Sequence, residues 1–146
     1  MTGYQGHSAL AISLDSKGDV TGSDKVVWSL NRGTPYVPSP LLYDGLLFFN
    51  QSSQARWSCV DAKTGDIYVD RKPLQGMYGV YASPVAADGR VYVTDRNGTT
   101  LVLKHNKEFH ILATNHLEDT FNSSPALAGD QMFLRGHRFL YCLSEK

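Results

Sequence analysis

The chain has 146 residues, the size of a single domain. Hydrophobic residues make up 42% and charged residues 19%, a balance that excludes a disordered chain. The 14 basic and 14 acidic side chains cancel, which leaves no cationic field for nucleic acid or an anionic membrane, and no run approaches the ~18 apolar residues of a spanning helix.

Residues 1–6 read as a tail, without the charged and then apolar regions of a secretory signal. Strands are predicted over 9–14 and 26–30, joined by a long polar turn that begins at Asp15. Together these make an incomplete leading unit, 1–34. The unit 35–76 has four predicted strands, over 41–43, 46–49, 56–60 and 66–70. Gln51-Ser52-Ser53-Gln54 and Asp61-Ala62-Lys63-Thr64-Gly65 provide its later turns. The Asp61 side chain can accept from amides of its own turn, and Gly65 supplies positive φ. The unit 77–119 repeats the plan, with strands over 85–87, 90–94, 100–104 and 109–114, and a turn at Asn97-Gly98. The unit 120–146 has strands over 126–128, 131–134 and 139–143 and no fourth strand.

These units share one phrase. Ser39-Pro40 opens a short apolar run that turns at Asp44-Gly45 into a second apolar run. Ser83-Pro84 and Asp88-Gly89 repeat it 44 residues later, and Ser124-Pro125 with Gly129-Asp130 repeat it 41 residues after that. Asp-Gly between apolar runs is a strong hairpin signal, because a type I′ turn needs positive φ at both central positions. Proline gives a ladder no N–H, so Ser-Pro marks a first strand lying at a sheet edge. Four-stranded units at a period of ~40–45 residues, with no helical periodicity, predict an all-β fold: a partial β-propeller, an arc of three to four four-stranded antiparallel blades.

The phrase Ser-Pro-x3-Asp-Gly, followed by Asp61-Ala62-Lys63-Thr64-Gly65, resembles the pyrroloquinoline quinone (PQQ)-like β-propeller repeat. That superfamily includes quinoprotein alcohol dehydrogenases and an outer-membrane assembly scaffold lipoprotein. The stretch 26–47 is most similar to the C-terminal part of uncharacterised PQQ-like repeat proteins. The family's blade-docking signature runs Ala-x-Asp-x-x-Thr-Gly-x-x-x-Trp. Here Cys59 stands at the alanine position and Val69 at the tryptophan position, and the last two units lack the signature. Trp28 and Asp15 of the leading unit match it in part. A largely missing tryptophan girdle is therefore expected.

The resemblance implies PQQ and calcium for the family's enzymes, held with a vicinal cysteine pair, a tryptophan floor and Glu, Asn and Asp ligands. The sequence has no adjacent cysteines. Asp44, Asp61, Asp88 and Asp130 are all explained as turn residues, so neither PQQ nor calcium is expected and no catalytic or metal residue is assigned. Cys59 and Cys142 occupy equivalent third-strand positions of different units and are expected as separate, buried thiols. His7, His105, His110, His116 and His137 show no metal-ligand spacing. Tyr36, Tyr78 and Tyr81, which precede the Ser-Pro starts, are expected to pack between blades. The alternative is that, with Arg32, they line a binding surface; Arg71, Arg96 and Arg135 are expected as rim charges.

The functional expectation is a non-catalytic binding or scaffold module, the C-terminal piece of a longer propeller. Two alternatives remain open: a fragment of a PQQ- and calcium-dependent quinoprotein dehydrogenase, and a carbohydrate-binding or sensor propeller. The expected partners are the remaining blades of a parent propeller, or other copies through self-association. The resemblance implies a periplasmic or extracellular setting.

Overall fold

A computed structural model describes residues 2–3, 8–51 and 55–144. Among them there is no helix, and fourteen strands form four antiparallel sheets. The leading sheet holds β1 (Thr2–Gly3), β2 (Ser8–Ile12) and β3 (Val26–Leu30). The first full sheet holds β4 (Leu41–Tyr43), β5 (Leu46–Gln51), β6 (Arg56–Asp61) and β7 (Ile67–Pro73), hydrogen-bonded in that order. The second full sheet runs β8 (Val85–Ala87), β9 (Arg90–Thr94), β10 (Thr99–Lys104) and β11 (Ile111–His116). The terminal sheet has β12 (Ala126–Ala128), β13 (Gln131–Arg135) and β14 (Leu140–Ser144). The fold is a partial β-propeller.

Several boundaries differ from the sequence reading. The leading sheet has three strands rather than two, because Thr2 and Gly3 pair with Ala9 and Ser8 across residues read as a tail. Strand β2 stops at Ile12, since Ser13 N–H already donates to Lys25 O at the mouth of the long turn. Strand β11 starts at Ile111, two residues late, because a bulge after Val102 re-sets its pairing with β10. The turn 51–54 lies partly, and His7 wholly, outside the described residues.

The hairpin turns follow their residues. Asp44 and Gly45 have φ of 45° and 76°, and Asp88 and Gly89 have 49° and 69°, positive at both central positions as a type I′ turn requires. Reversing the letters changes the turn. Gly129 has a φ of 59° while Asp130 is not left-handed, the type II′ pattern with glycine first. Asn97-Gly98 is no I′ hairpin either, because only Gly98 has positive φ. Asp95 O accepts from Gly98 N–H at 3.4 Å, and the Asp95 carboxylate caps the turn by accepting from Asn97 and Thr99 N–H. A Cβ at Gly45 or Gly89 would meet nothing within 4 Å, so only backbone strain opposes substitution. Gly45→Val and Gly89→Val should each cost roughly 1–3 kcal/mol, read as a lower urea midpoint. Unchanged midpoints for both would refute the turn geometry.

Three joints bind the sheets to one another. The inner strands are latched by the Ser-Pro serines: Ser39 N–H donates to Ser83 Oγ, and Ser83 N–H to Ser124 Oγ, both at 2.9 Å. Proline after each serine removes a competing donor and holds the serine extended. At the leading joint the Trp28 indole donates to Ala62 O at 3.0 Å and lies over Gly65, where a Cβ would sit 2.7 Å from the ring. The docking tryptophan is thus present at this joint.

At the joint between the full sheets other residues replace tryptophan. His105 Nε2 donates to Tyr43 O at 3.1 Å, and its ring meets Phe48 edge-on. Tyr43 Oη accepts from Gly89 N–H at 3.2 Å. Lys107 places its ammonium 4.3 Å from the Tyr68 ring centre, and Tyr68 Oη donates to Asp61. Phe48, Trp57, Cys59, Val91, Val93, Leu101 and Leu103 fill the core here. Burial pushes the Cys59 thiol up to about 11, the nearby Lys107 charge offsetting only part of the shift. Cys142, expected to be buried like Cys59, is exposed, because no further sheet among the described residues covers its face.

Candidate binding rim

In the second full and terminal blades the connection that leads into the Ser-Pro strand meets the turn between the second and third strands, and together they make a rim. In the second full blade Asp95 makes the junction. Its buried carboxylate accepts from Asn97 and Thr99 N–H within the turn, and from Tyr78 N–H at 2.9 Å on the incoming connection. The Arg96 guanidinium then lies over Tyr81, 4.9 Å from the ring centre.

The terminal blade solves the same problem from the opposite side. By the 41-residue period, Asp95 corresponds to Gly136 and Tyr78 to Asp119. Here the carboxylate belongs to the incoming connection. The Asp119 side chain, 2% exposed, accepts from Thr120, Arg138 and Phe139 N–H and from Tyr141 Oη. Gly136 leaves the space that this carboxylate fills, for a Cβ there would lie 2.2 Å from Asp119 Oδ2. Desolvation alone would raise the Asp119 carboxyl; the Thr120, Arg138 and Phe139 N–H donors outweigh it and hold it below the ordinary carboxylate range. Burial, and then the Asp119 charge, push the Tyr141 phenol up. Sequence reasoning missed both aspartates. Their only signal is an aspartate just beyond a strand in two successive repeats, at positions that do not align.

The carboxylates hold loops whose other side chains face outward. Tyr78 is 73% exposed and Tyr36 54%, so neither is packed between blades as expected. Tyr81 is half-buried beneath Arg96. Arg32 goes elsewhere, to Asp70 on β7 at 3.2 Å, where it borders a cleft with Ser29, Phe49 and Ser58. Arg71, with a φ of 48°, lies against Gly33, and Arg135 donates to Gly136 O. An open groove between the last two blades is lined by Asn97, His116, Glu118, Thr120, His137 and Arg138, with Asp119 at its base. Arg138 donates to Glu118 O across it.

These residues do not fit the quinone and calcium that the fold's enzymes imply. Among the described residues no three His, Cys, Asp or Glu side chains gather to hold a metal ion. Cys59 and Cys142 lie in different sheets. The two buried rim carboxylates, which could have served as ligands or bases, are turned to backbone N–H groups of their own loops.

Antiparallel sheets of three and four strands, following one another along the chain and latched at their Ser-Pro serines, make an arc of a β-propeller. Known structures agree. A europium-containing methanol dehydrogenase superposes with a TM-score of 0.57 and 16% identity, over 72% of this chain and 22% of that one. BamB from Moraxella catarrhalis superposes with a TM-score of 0.52 and 11% identity, over 73% of this chain and 43% of that one. Both have the PQQ-like propeller fold, and this chain spans less than half of either. No protein-family model matches the chain, and no curated protein sequence matches it. No helix among the described residues is long and apolar enough to cross a membrane.

Proposed function

We propose that the chain is a non-catalytic propeller module whose loop rim is a binding platform for a protein or small ligand. The observation that carries this reading is the use of the rim's buried charge. Asp95 and Asp119 are each spent on three or more loop donors, so they fix loop shape and are not poised to move a proton. Tyr78, His137 and Arg138 stand exposed on the loops so held, and Tyr36 is exposed on the corresponding connection of the first full blade; Tyr and Arg are among the residues enriched at interfaces. A periplasmic or extracellular setting is part of the proposal and rests on the resemblance to exported propellers.

The reading excludes PQQ. Titration with PQQ and calcium should produce no quinone absorbance shift and no dye reduction; calcium-dependent binding below micromolar would overturn it. The platform itself is tested with glycan and protein libraries against the wild type and the Tyr36→Ala/Tyr78→Ala double variant. A ligand bound by the first and lost by the second is expected, with denaturation midpoints unchanged. Ligands held equally by both would place binding elsewhere.

A further inference from the structure

The cleft between the leading and first full sheets carries a separate inference, which needs no rim ligand. It begins with an irregularity in strand pairing. The β6–β7 register shifts between Trp57 and Cys59, so Asp70 and Arg71 both stand opposite Ser58, a bulge on β7. Arg71 N–H donates to Ser58 Oγ at 3.1 Å. Arg71 takes a φ of 48°, a left-handed conformation that strains any residue with a Cβ. Its stem packs on buried Gly33, where a Cβ would lie 2.5 Å from Arg71 Cδ. Its Nε is buried and has no hydrogen-bond acceptor among the described residues; Asp70 Oδ1, at 3.5 Å, is an ion-pair contact only. Backbone strain, a glycine that makes room and an unsatisfied donor all accompany the placing of this one guanidinium.

Arg32 supplies a second guanidinium from the connection after β3. Its Nη2 donates to Asp70 Oδ2 at 3.2 Å, while Arg71 meets Asp70 Oδ1. One carboxylate thus stands between two guanidiniums. A third, Arg56, donates to Arg71 O at 3.5 Å and adds to the positive field. Each guanidinium carries about five donors, and one carboxylate offers about four acceptor sites, so donors remain in excess. Arg32 and Asp70 line a cleft of about 160 Å³ with Ser29, Ser58, Phe49 and Ile67. A cavity of roughly 150 Å³ holds a benzene-sized molecule. Phe49 and the 46% exposed Ile67 give the cleft an apolar wall. We propose that it binds a small organic carboxylate, the head group held by Arg32 and Arg71 and a compact apolar body lying against Phe49 and Ile67. Phosphate suits the cleft less, because Asp70 opposes its second charge and the apolar wall offers it no donor.

The carboxylate comes either from a free acid or from the end of a peptide, and benzoate and N-acetyl-leucine stand for the two. The Arg32 and Arg71 Nε–H resonances of nitrogen-labelled protein report binding. At least one acid should shift them saturably at millimolar concentration, and the matching amides, benzamide and N-acetyl-leucinamide, should not. Saturation by benzoate alone assigns a free acid, and by N-acetyl-leucine alone a chain terminus. Arg32→Gln should weaken binding about tenfold or more. Its urea midpoint should stay unchanged, because the Arg32–Asp70 pair is exposed. Asp70→Asn should tighten binding severalfold by removing the competing carboxylate, a gain that misfolding cannot produce. Neither acid saturating by tens of millimolar, amides that bind equally, or phosphate that binds more tightly than both acids would overturn the site. So would Arg32→Gln binding as the wild type does, or Asp70→Asn binding more weakly.

Discussion

Gly98→Ala is expected to destabilise the protein by about 3 kcal/mol or more, because its Cβ would meet backbone at closer range than at any other glycine among the described residues. Two causes add. Gly98 has a φ of 93°, where any Cβ is strained. That Cβ would also lie 1.9 Å from the Leu117 carbonyl oxygen and 3.1 Å from its carbon. The obstacle is backbone, and it cannot swing aside, because Leu117 N–H donates to Gly98 O at 3.0 Å and ties the two segments together. Relief would require the turn 95–98 to part from the connection entering the terminal blade. Gly45→Ala is the control. It carries the φ strain alone, in open space, and should cost about 1 kcal/mol. Urea midpoints measured side by side decide the matter. Equal shifts for the two variants would mean that the close approach at Leu117 does not exist.

Asp119→Ala should lower the melting temperature by on the order of 10 °C. Three backbone N–H groups and the Tyr141 hydroxyl lose their shared acceptor at once, and with it goes the tie between the incoming connection and the turn before β14. Gly136→Ala should produce a drop of similar size, because its new Cβ displaces the same carboxylate. The double variant supplies the decisive comparison. With the carboxylate already gone, the alanine at 136 has nothing to displace, so the two losses should fall well short of additive. Full additivity would show that Asp119 and Gly136 do not share a site. Acidity tests the same carboxylate. Its folded value is depressed, so its stabilisation is complete above the unfolded carboxylate range and is lost as pH falls through the lowered folded value. The wild type should therefore lose more stability than Asp119→Ala over that acid interval.

What the sequence determined by itself is local. Asp44-Gly45 and Asp88-Gly89 fold as the left-handed pairs their chemistry favours, and β4, β8 and β12 begin one residue after their prolines. Each outcome depends on residues a few positions apart, so a period of about forty residues was enough to recover four sheets and the propeller arc. Tertiary structure decided everything that joins one blade to the next. The latches from Ser39 to Ser83 and from Ser83 to Ser124 span 44 and 41 residues, and Trp28 meets Ala62 across 34. Within a single repeat those serines can be read only as the residues before a proline. The rim was hidden for a further reason: the period aligns Asp95 with Gly136, and so conceals that Asp119 fills from the opposite chain segment the space that glycine leaves. The requirement set by the physics is a buried acceptor between two loops. Either loop can supply it, and only the packed structure shows which one does.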